Sequence, residues 1–230
     1  MNEIKLLYTI GDSWTYGDEL ENPKKECWPS VLSKDIGCKL INDSKNGGPN
    51  DWMFRRTIEW VCQQKSFDDT AVIVGWSEPN RREEDYNTIL QGEGMWEQVM
   101  KYLYNDELAH YKSICYMISL QEIFKSKNIK YLFFQPWFDI VSCEERLEKV
   151  RVNKSKFSNW LDNEAKEFYP EKLGIGDIIK NLDKKYIIDP QMLDERRNIK
   201  SKMILNSYGH PNKNEHILIA TFIKEKLLEI

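Results

Sequence analysis

Short apolar runs alternate with amphipathic stretches along the chain. The first run covers residues 4–10, and two later runs cover 70–76 and 130–137, where β-branched and aromatic residues dominate. Continuous apolar runs of this kind predict strands that are covered on both faces. The shorter runs at 39–43 and 185–189 predict two further strands.

Between these runs, hydrophobic residues recur at the spacing of an α-helix. This spacing predicts helices over 27–37, 51–64, 107–126 and 212–230. Strands that alternate with helices of such lengths favour a parallel sheet with right-handed crossovers. We therefore expect an α/β fold, a three-layer α/β/α sandwich around a mostly parallel five-stranded sheet.

Two connections are longer than such a fold requires. They cover residues 77–106 and 138–184. Long connections in a compact domain commonly cover or shape a binding site. Because no repeat, low-complexity tract or flexible linker divides the sequence, we expect residues 1–230 to form one domain with these two insertions over its site.

Composition and charge narrow the class of partner. The chain has 230 residues, 41% of them hydrophobic, which is enough for a substantial core. Its 33 basic and 37 acidic residues are well mixed and give a formal charge of −4, so nucleic acid is not an expected partner. The sequence contains no pattern of a secretory signal and no apolar run long enough to span a membrane. We expect a cytoplasmic protein that does not bind membranes.

The cysteines do not suggest a disulfide framework or a zinc site. The five are scattered, odd in number and never spaced as C-x-x-C. No paired ligand motif for another metal is present, so neither a metal nor another cofactor is expected.

Residues able to carry chemistry follow the predicted strands. Ser13 comes after the first strand, Gly47 and Asn50 after the second, Arg81 after the third, and His210 precedes the last helix. The carboxyl ends of parallel strands meet at one edge of a sheet, and open α/β folds bind ligands at that edge. These residues are therefore expected to converge on one crevice.

Three segments resemble the sequence blocks of the SGNH, or GDSL, hydrolases. They are IGDSWTYG at residues 10–17, NDSKNGGPND at 42–51 and GHPNKNEHILIA at 209–220. The resemblance spans most of the chain in the family's order, and it implies a flavodoxin-like fold and a serine hydrolase of the esterase or deacetylase type. Ser13 would attack the acyl carbonyl, His210 would accept its proton, and Gly47 would help to hold the oxyanion. The implied substrate is a small-molecule acyl ester, for example an O-acylated carbohydrate.

The third block of the family is altered in this chain. Where the family has an asparagine two residues after a glycine, the sequence has Ser77. A serine hydroxyl could replace that amide donor, and Asn50 and Asn80 are alternative donors. Asn50 ranks first because it lies in the same loop as Gly47.

The aspartate that the family places three residues before the histidine is also absent, and Ser207 occupies that position. Such a carboxylate fixes the tautomer of the imidazole and stabilises the imidazolium. The Ser207 hydroxyl or a backbone carbonyl could orient His210 instead. An acid from another loop is a further alternative, with Asp139, Asp189 and Glu78 as candidates.

Several of these residues also have purely structural interpretations. Asp12 is expected to bond local backbone amides, and His216 to be a packed or capping residue. Arg81 is a candidate for binding substrate, but its segment of mixed charge equally fits a solvated loop. The main alternative to an enzyme is a degenerate protein of the same fold that binds a ligand or partner. A weaker alternative is metal-dependent phosphoester chemistry.

Overall fold

A single parallel sheet organises the chain. The computed structural model describes residues 3–79, 81, 106–136, 179–188 and 210–230. Within them, five strands lie in the order β2-β1-β3-β4-β5, and every neighbouring pair is parallel. The strands are β1 (Leu6–Gly11), β2 (Lys39–Asn42), β3 (Thr70–Gly75), β4 (Lys130–Phe134) and β5 (Ile187–Ile188). The predicted five-stranded parallel sheet is confirmed.

The predicted helices are also present, with two short additions. The helices of the described residues are α1 (Ser13–Tyr16), α2 (Pro23–Glu26), α3 (Trp28–Ile36), α4 (Asn50–Gln63), α5 (Asp106–Ser126) and α6 (Lys213–Glu229). The four-residue helices α1 and α2 contain too few residues for a periodic pattern. No helix in this part of the chain is long and apolar enough to cross a membrane.

The helices cover the sheet on both faces. Side chains of α4 and α5 join those of alternate sheet residues, such as Tyr8 and Val72, in one buried cluster. The intervening residues, such as Leu7 and Ile73, face a second cluster with α3 and α6. Because successive residues of a strand point to opposite faces, both faces of the central strands are apolar. This gives the expected three-layer sandwich.

The last strand begins later than the sequence suggests. Residues 185–189 predict a strand, whereas Lys184–Tyr186 form a 3₁₀ turn; in the described part of the chain, pairing with β4 begins at Ile187 and includes Ile188. The Asp183 carboxylate caps this turn by accepting a hydrogen bond from the Lys185 N–H, at 3.2 Å. A side-chain cap therefore stops the extended backbone from starting earlier.

Helix α6 begins at a well-formed cap close to His210. The Asn212 side-chain oxygen accepts hydrogen bonds from the N–H groups of Asn214 and Glu215, at 2.9 and 3.2 Å. These bonds satisfy two of the N–H groups that a helix leaves without intrahelical partners. The start of α6 fixes the segment that carries His210. Most of the two insertions, residues 77–106 and 138–184, lies outside the described residues.

Candidate active site

Ser13 lies in a tight turn at the carboxyl end of β1. It is the first residue of α1 and is 2% exposed. The Asp12 carboxylate caps this turn by accepting a hydrogen bond from the Trp14 N–H at 3.1 Å, as expected for a local structural role. The turn closes through the N–H groups of Gly17 and Asp18, which donate to the Ser13 carbonyl oxygen at 2.9 and 3.0 Å. Ser13 therefore sits on a backbone held from both sides.

Two glycines let α1 pack directly on the sheet. Gly11 of β1 and Gly75 of β3 are paired across the sheet, at the ends of their strands. A β-carbon on either would lie only 2.2 or 2.3 Å from the Thr15 hydroxyl oxygen, far inside van der Waals contact. The absence of both side chains brings the turn of Ser13 against the ends of β1 and β3.

The glycine loop after β2 lies against the same turn. Gly47 has a φ of +66°, a left-handed conformation that glycine adopts without steric cost. A β-carbon on Gly48 would lie 3.1 Å from the Gly11 carbonyl oxygen, which also accepts a hydrogen bond from the Lys45 N–H at 3.1 Å. The loop thus approaches the backbone directly before Ser13. Among the described residues, no acceptor is hydrogen-bonded to the N–H of Gly47 or of Ser13.

A buried ion pair lies beside the candidate nucleophile. Asp12 is fully buried, and its second carboxylate oxygen accepts hydrogen bonds from the Ser77 hydroxyl at 3.0 Å and the Arg81 guanidinium at 3.2 Å. Arg81 also contacts the Ser77 hydroxyl at 3.0 Å, and its side chain is 30% exposed. A buried carboxylate needs such partners because its desolvation is costly. Arg81 and Ser77 are therefore joined through Asp12.

Asn50 is tied to the backbone of Ser77. Its side-chain oxygen accepts the Ser77 N–H at 2.8 Å, and its amide nitrogen donates to the Ser77 carbonyl and to the Ser113 hydroxyl, both at 3.0 Å. An asparagine amide has two N–H donors, and both are used here. Asn50 thus clamps the segment after β3 onto α4 and α5. An oxyanion role for Asn50 would require release of one of these bonds.

His210 contacts the turn that follows Ser13. Its Nδ1 lies 3.6 Å from the Glu19 carboxylate, and its Nε2 lies 3.9 Å from the Asp18 carboxylate. The His210 side chain is 16% exposed. Folding therefore brings the imidazole near the end of the chain to the loop that starts at Ser13.

His216 has the packed, capping role expected of it. It is fully buried, and its Nδ1 accepts a hydrogen bond from the Trp28 N–H at 3.1 Å. Trp28 is the first residue of α3, so the ring satisfies one of the unpaired N–H groups at that helix start. Burial, with a smaller contribution from the charge of His210, lowers the pKa of His216 from 6.5 to about 4. The ring is therefore neutral at pH 7.

The candidate residues form two connected groups. One group is connected by hydrogen bonds: Asn50 is bonded to Ser77, and Arg81 to Asp12. In the other group, His210 contacts the loop of Ser13 through two acidic residues. Four residues of the sequence prediction lie outside the described part of the chain: Asn80, Asp139, Asp189 and Ser207. Among the described residues, no group of three or more His, Cys, Asp or Glu side chains could hold a metal ion.

The acids beside His210 were not among the predicted ones. Asp18 and Glu19 follow the first block directly, in a segment that also contains Glu21. A run of acids in a polar loop is usually a solvated surface, so its pattern carries no signal for contact with a histidine near the other end of the chain. Only their proximity to the predicted nucleophile could have drawn attention to them.

Comparisons with solved structures support the fold, whereas those with protein families and curated proteins give no function. Residues 15–102 match the profile of a family of unknown function (DUF6071). No curated protein matches the sequence. A solved member of the lipolytic G-D-S-L family from Veillonella parvula is 19% identical, with a TM-score of 0.50 over 98% of this chain and 97% of that chain.

Two further solved structures resemble the chain at lower identity. The psychrotrophic esterase EstA from a Pseudoalteromonas species is 16% identical, with a TM-score of 0.53 over 98% of this chain and 97% of that chain. The acetyl xylan esterase AlAXEase is 12% identical, with a TM-score of 0.50 over 96% of this chain and 98% of that chain. The chain therefore has the α/β fold of the GDSL, or SGNH, esterases.

Proposed function

We propose that the chain is an ester hydrolase in which Ser13 is the nucleophile and His210 is the general base. The observation that carries this proposal is the contact between His210 and the loop that begins at Ser13, through Asp18 and Glu19. A serine hydroxyl attacks a carbonyl efficiently only when a neighbouring base removes its proton. The capped turn at the end of β1 supports a fixed position for the hydroxyl.

The reaction would proceed in two steps, acylation of Ser13 and hydrolysis of the acyl-enzyme. Ser13 Oγ would bond to the acyl carbon while its proton passes to His210, and the carbonyl π electrons would move to the oxygen. Collapse of this oxyanion breaks the ester bond, and His210 returns the proton to the departing alkoxide. Water then repeats the sequence on the acyl-enzyme, releasing the acid and restoring Ser13.

Backbone N–H groups are our preferred oxyanion donors. The Gly47 loop lies against the Gly11 carbonyl, next to the turn that contains the Ser13 N–H. Fixed N–H groups stabilise a developing negative oxygen without reorganising during the reaction. Asn50 and Ser77 would hold the surrounding backbone in place, since the Asn50 side-chain amide is hydrogen-bonded to the backbone N–H and carbonyl of Ser77. The partly exposed Arg81 would contact a polar part of the substrate.

The substrate class rests on likeness of fold and of sequence blocks. One protein of similar fold is an acetyl xylan esterase and another is the esterase EstA. We propose a small-molecule acyl ester as substrate, with an O-acetylated carbohydrate as the first to test. Fold alone does not fix a substrate, so the assay should begin with a general acyl ester.

Labelling with a fluorophosphonate probe tests the nucleophile. We expect the wild type to be labelled, Ser13→Ala to lose the label, and His210→Ala to react far more slowly. Matched controls are Ser119→Ala, at an exposed position of α5, and His110→Ala, at a partly exposed position of the same helix. Labelling that persists in Ser13→Ala would contradict the assignment. Activity that survives Ser13→Ala and requires a divalent metal would favour the phosphoester alternative.

One observation favours a second function, ligand binding without turnover. Asn50 and Ser77, two of the residues expected to donate to an oxyanion, are hydrogen-bonded to each other. A protein that had lost catalysis could keep this clamp and its crevice for binding. This function would be supported if the folded wild type is neither labelled nor hydrolyses the ester, and if it binds an acetylated oligosaccharide saturably.

A further inference from the structure

We propose that Glu19 is the residue that orients His210, in place of the aspartate that the related sequence block has three residues before the histidine. The inference rests on the proposed function and deepens it. It assigns the positioning carboxylate to the nucleophile's own loop, whereas the sequence pattern predicts an orienting group at residue 207 or in a loop after another strand.

The first observation is the position of the carboxylate. Glu19 Oε2 lies 3.6 Å from His210 Nδ1, and the two side chains are 24% and 16% exposed. The distance is slightly longer than a hydrogen bond, as often found for catalytic contacts without substrate, which shorten when substrate binds. Once within hydrogen-bond distance, this carboxylate would hold a proton on Nδ1 and leave the lone pair of Nε2 available to act as a base.

The second observation is the backbone of Glu19. Its φ is +65°, in the left-handed region that residues with a β-carbon rarely adopt. Glycine or asparagine would take this conformation at lower cost. Strained residues of this kind concentrate at functional sites, where their surroundings hold them in place. Of the two acids of this loop beside His210, the strained residue is the one whose carboxylate lies closer to the ring.

The neighbouring acid, Asp18, has a different attachment. Its carboxylate lies 3.9 Å from His210 Nε2 and accepts a hydrogen bond from the Asn46 side chain at 2.8 Å. Asp18 therefore ties the loop after β1 to the loop after β2. Asp18, Glu19 and the buried His216 are charged or titratable groups that lie near His210.

The rigidity of the turn is the third part of the argument. Gly17 and Asp18 both donate backbone hydrogen bonds to the Ser13 carbonyl, so the residues before Glu19 are fixed relative to the nucleophile. The nucleophile and the orienting acid would then belong to one preorganised loop, and the chain end would supply only the base. This arrangement accounts for a serine at position 207 without loss of the triad's chemistry.

Hydrolysis of p-nitrophenyl acetate, with kcat and KM measured separately, tests the inference. Glu19→Gln keeps the shape of the side chain and removes its charge. We expect kcat to fall about tenfold or more with KM nearly unchanged, because the imidazolium loses its partner in the transition state; in chymotrypsin, neutralising the equivalent acid costs about 10⁴-fold. The control Glu21→Gln removes the same charge from an exposed residue of the same loop and should leave kcat unchanged.

Two further variants separate positioning from a structural role. Glu19→Gly removes the carboxylate and relieves the left-handed strain, so its thermal unfolding temperature should equal or exceed that of the wild type while kcat falls as in Glu19→Gln. Ser207→Asp restores an acid at the position used by the resembling family. Added to Glu19→Gln, it should recover at least part of the lost kcat.

The outcomes distinguish this inference from the proposed function. A wild-type kcat in Glu19→Gln would overturn the role of Glu19 while leaving Ser13 labelling and the hydrolase proposal intact. A larger loss of kcat in Asp18→Asn than in Glu19→Gln would transfer the role to Asp18 and also overturn the inference. A folded wild type that neither hydrolyses the ester nor reacts with the fluorophosphonate would overturn the proposed function, and this inference with it.

Discussion

The buried His216 should make the stability of the fold depend on pH in a predictable way. In the native state its Nδ1 accepts the Trp28 N–H, and its pKa is lowered to about 4 because burial disfavours the charged ring. In the unfolded chain the ring returns to its ordinary pKa of 6.5. Between these two values, the unfolded state binds more protons than the native state.

The sign and size of the effect follow from this difference. As the pH falls below 6.5, protonation stabilises the unfolded state, and the loss of stability levels off only near the native pKa of about 4. Each pH unit inside this window lowers the free energy of unfolding by about 1.36 kcal/mol. Between pH 7 and pH 5, His216 should therefore remove about 2 kcal/mol of stability.

Urea unfolding of the wild type and of His216→Asn at both pH values measures this contribution. The asparagine side-chain oxygen can accept the Trp28 N–H and does not titrate, so the variant has a roughly constant packing cost. The stability difference between the two proteins should shrink by about 2 kcal/mol from pH 7 to pH 5. His110→Asn, on the partly exposed side of α5, controls for loss of a histidine. An equal difference at both pH values would refute the reasoning.

Two other predictions concern the packing around the candidate site. Replacing Arg81 by Met should lower the free energy of unfolding by about 1–3 kcal/mol, because Asp12 stays buried with fewer partners. Adding Asp12→Asn removes the buried charge and should recover part of that loss in the same urea assay. Gly75→Ala should destabilise by about 1–3 kcal/mol through its clash with the Thr15 hydroxyl, and Thr15→Ala should relieve most of it. Gly11→Ala should stay destabilised in the Thr15→Ala background, since its β-carbon would also meet the Thr15 β-carbon and the Gly75 carbonyl oxygen. Equal relief at both glycines would contradict this account.

The strands were readable from sequence because their signal is local. The run at 70–76 is continuous and apolar, and β3 is buried along its whole length. The same reasoning overextended β5, since the side-chain cap from Asp183 holds Lys184–Tyr186 in a 3₁₀ turn. A cap of this kind competes with strand pairing through one hydrogen bond. The pattern of hydrophobic residues contains no signal for that bond.

The candidate site was readable only in part. Sequence motifs and the rule for parallel sheets predict that Ser13, Gly47 and His210 lie at one edge. They did not indicate that Asn50 uses both amide hydrogens on Ser77 and Ser113. Those bonds depend on how α4, α5 and the end of β3 are aligned, which no single segment specifies.

By itself, the sequence determined the five strands, the main helices and the edge at which the candidate residues gather, because periodicity, glycine placement and helix caps act over a few neighbouring residues. Only the tertiary structure decided which acids meet His210 and how Asp12, Ser77 and Arg81 share hydrogen bonds. These contacts join side chains from distant segments within a few ångströms. Their formation depends on strand register, loop conformation and side-chain rotamers together, and the hydrophobic pattern constrains these only loosely.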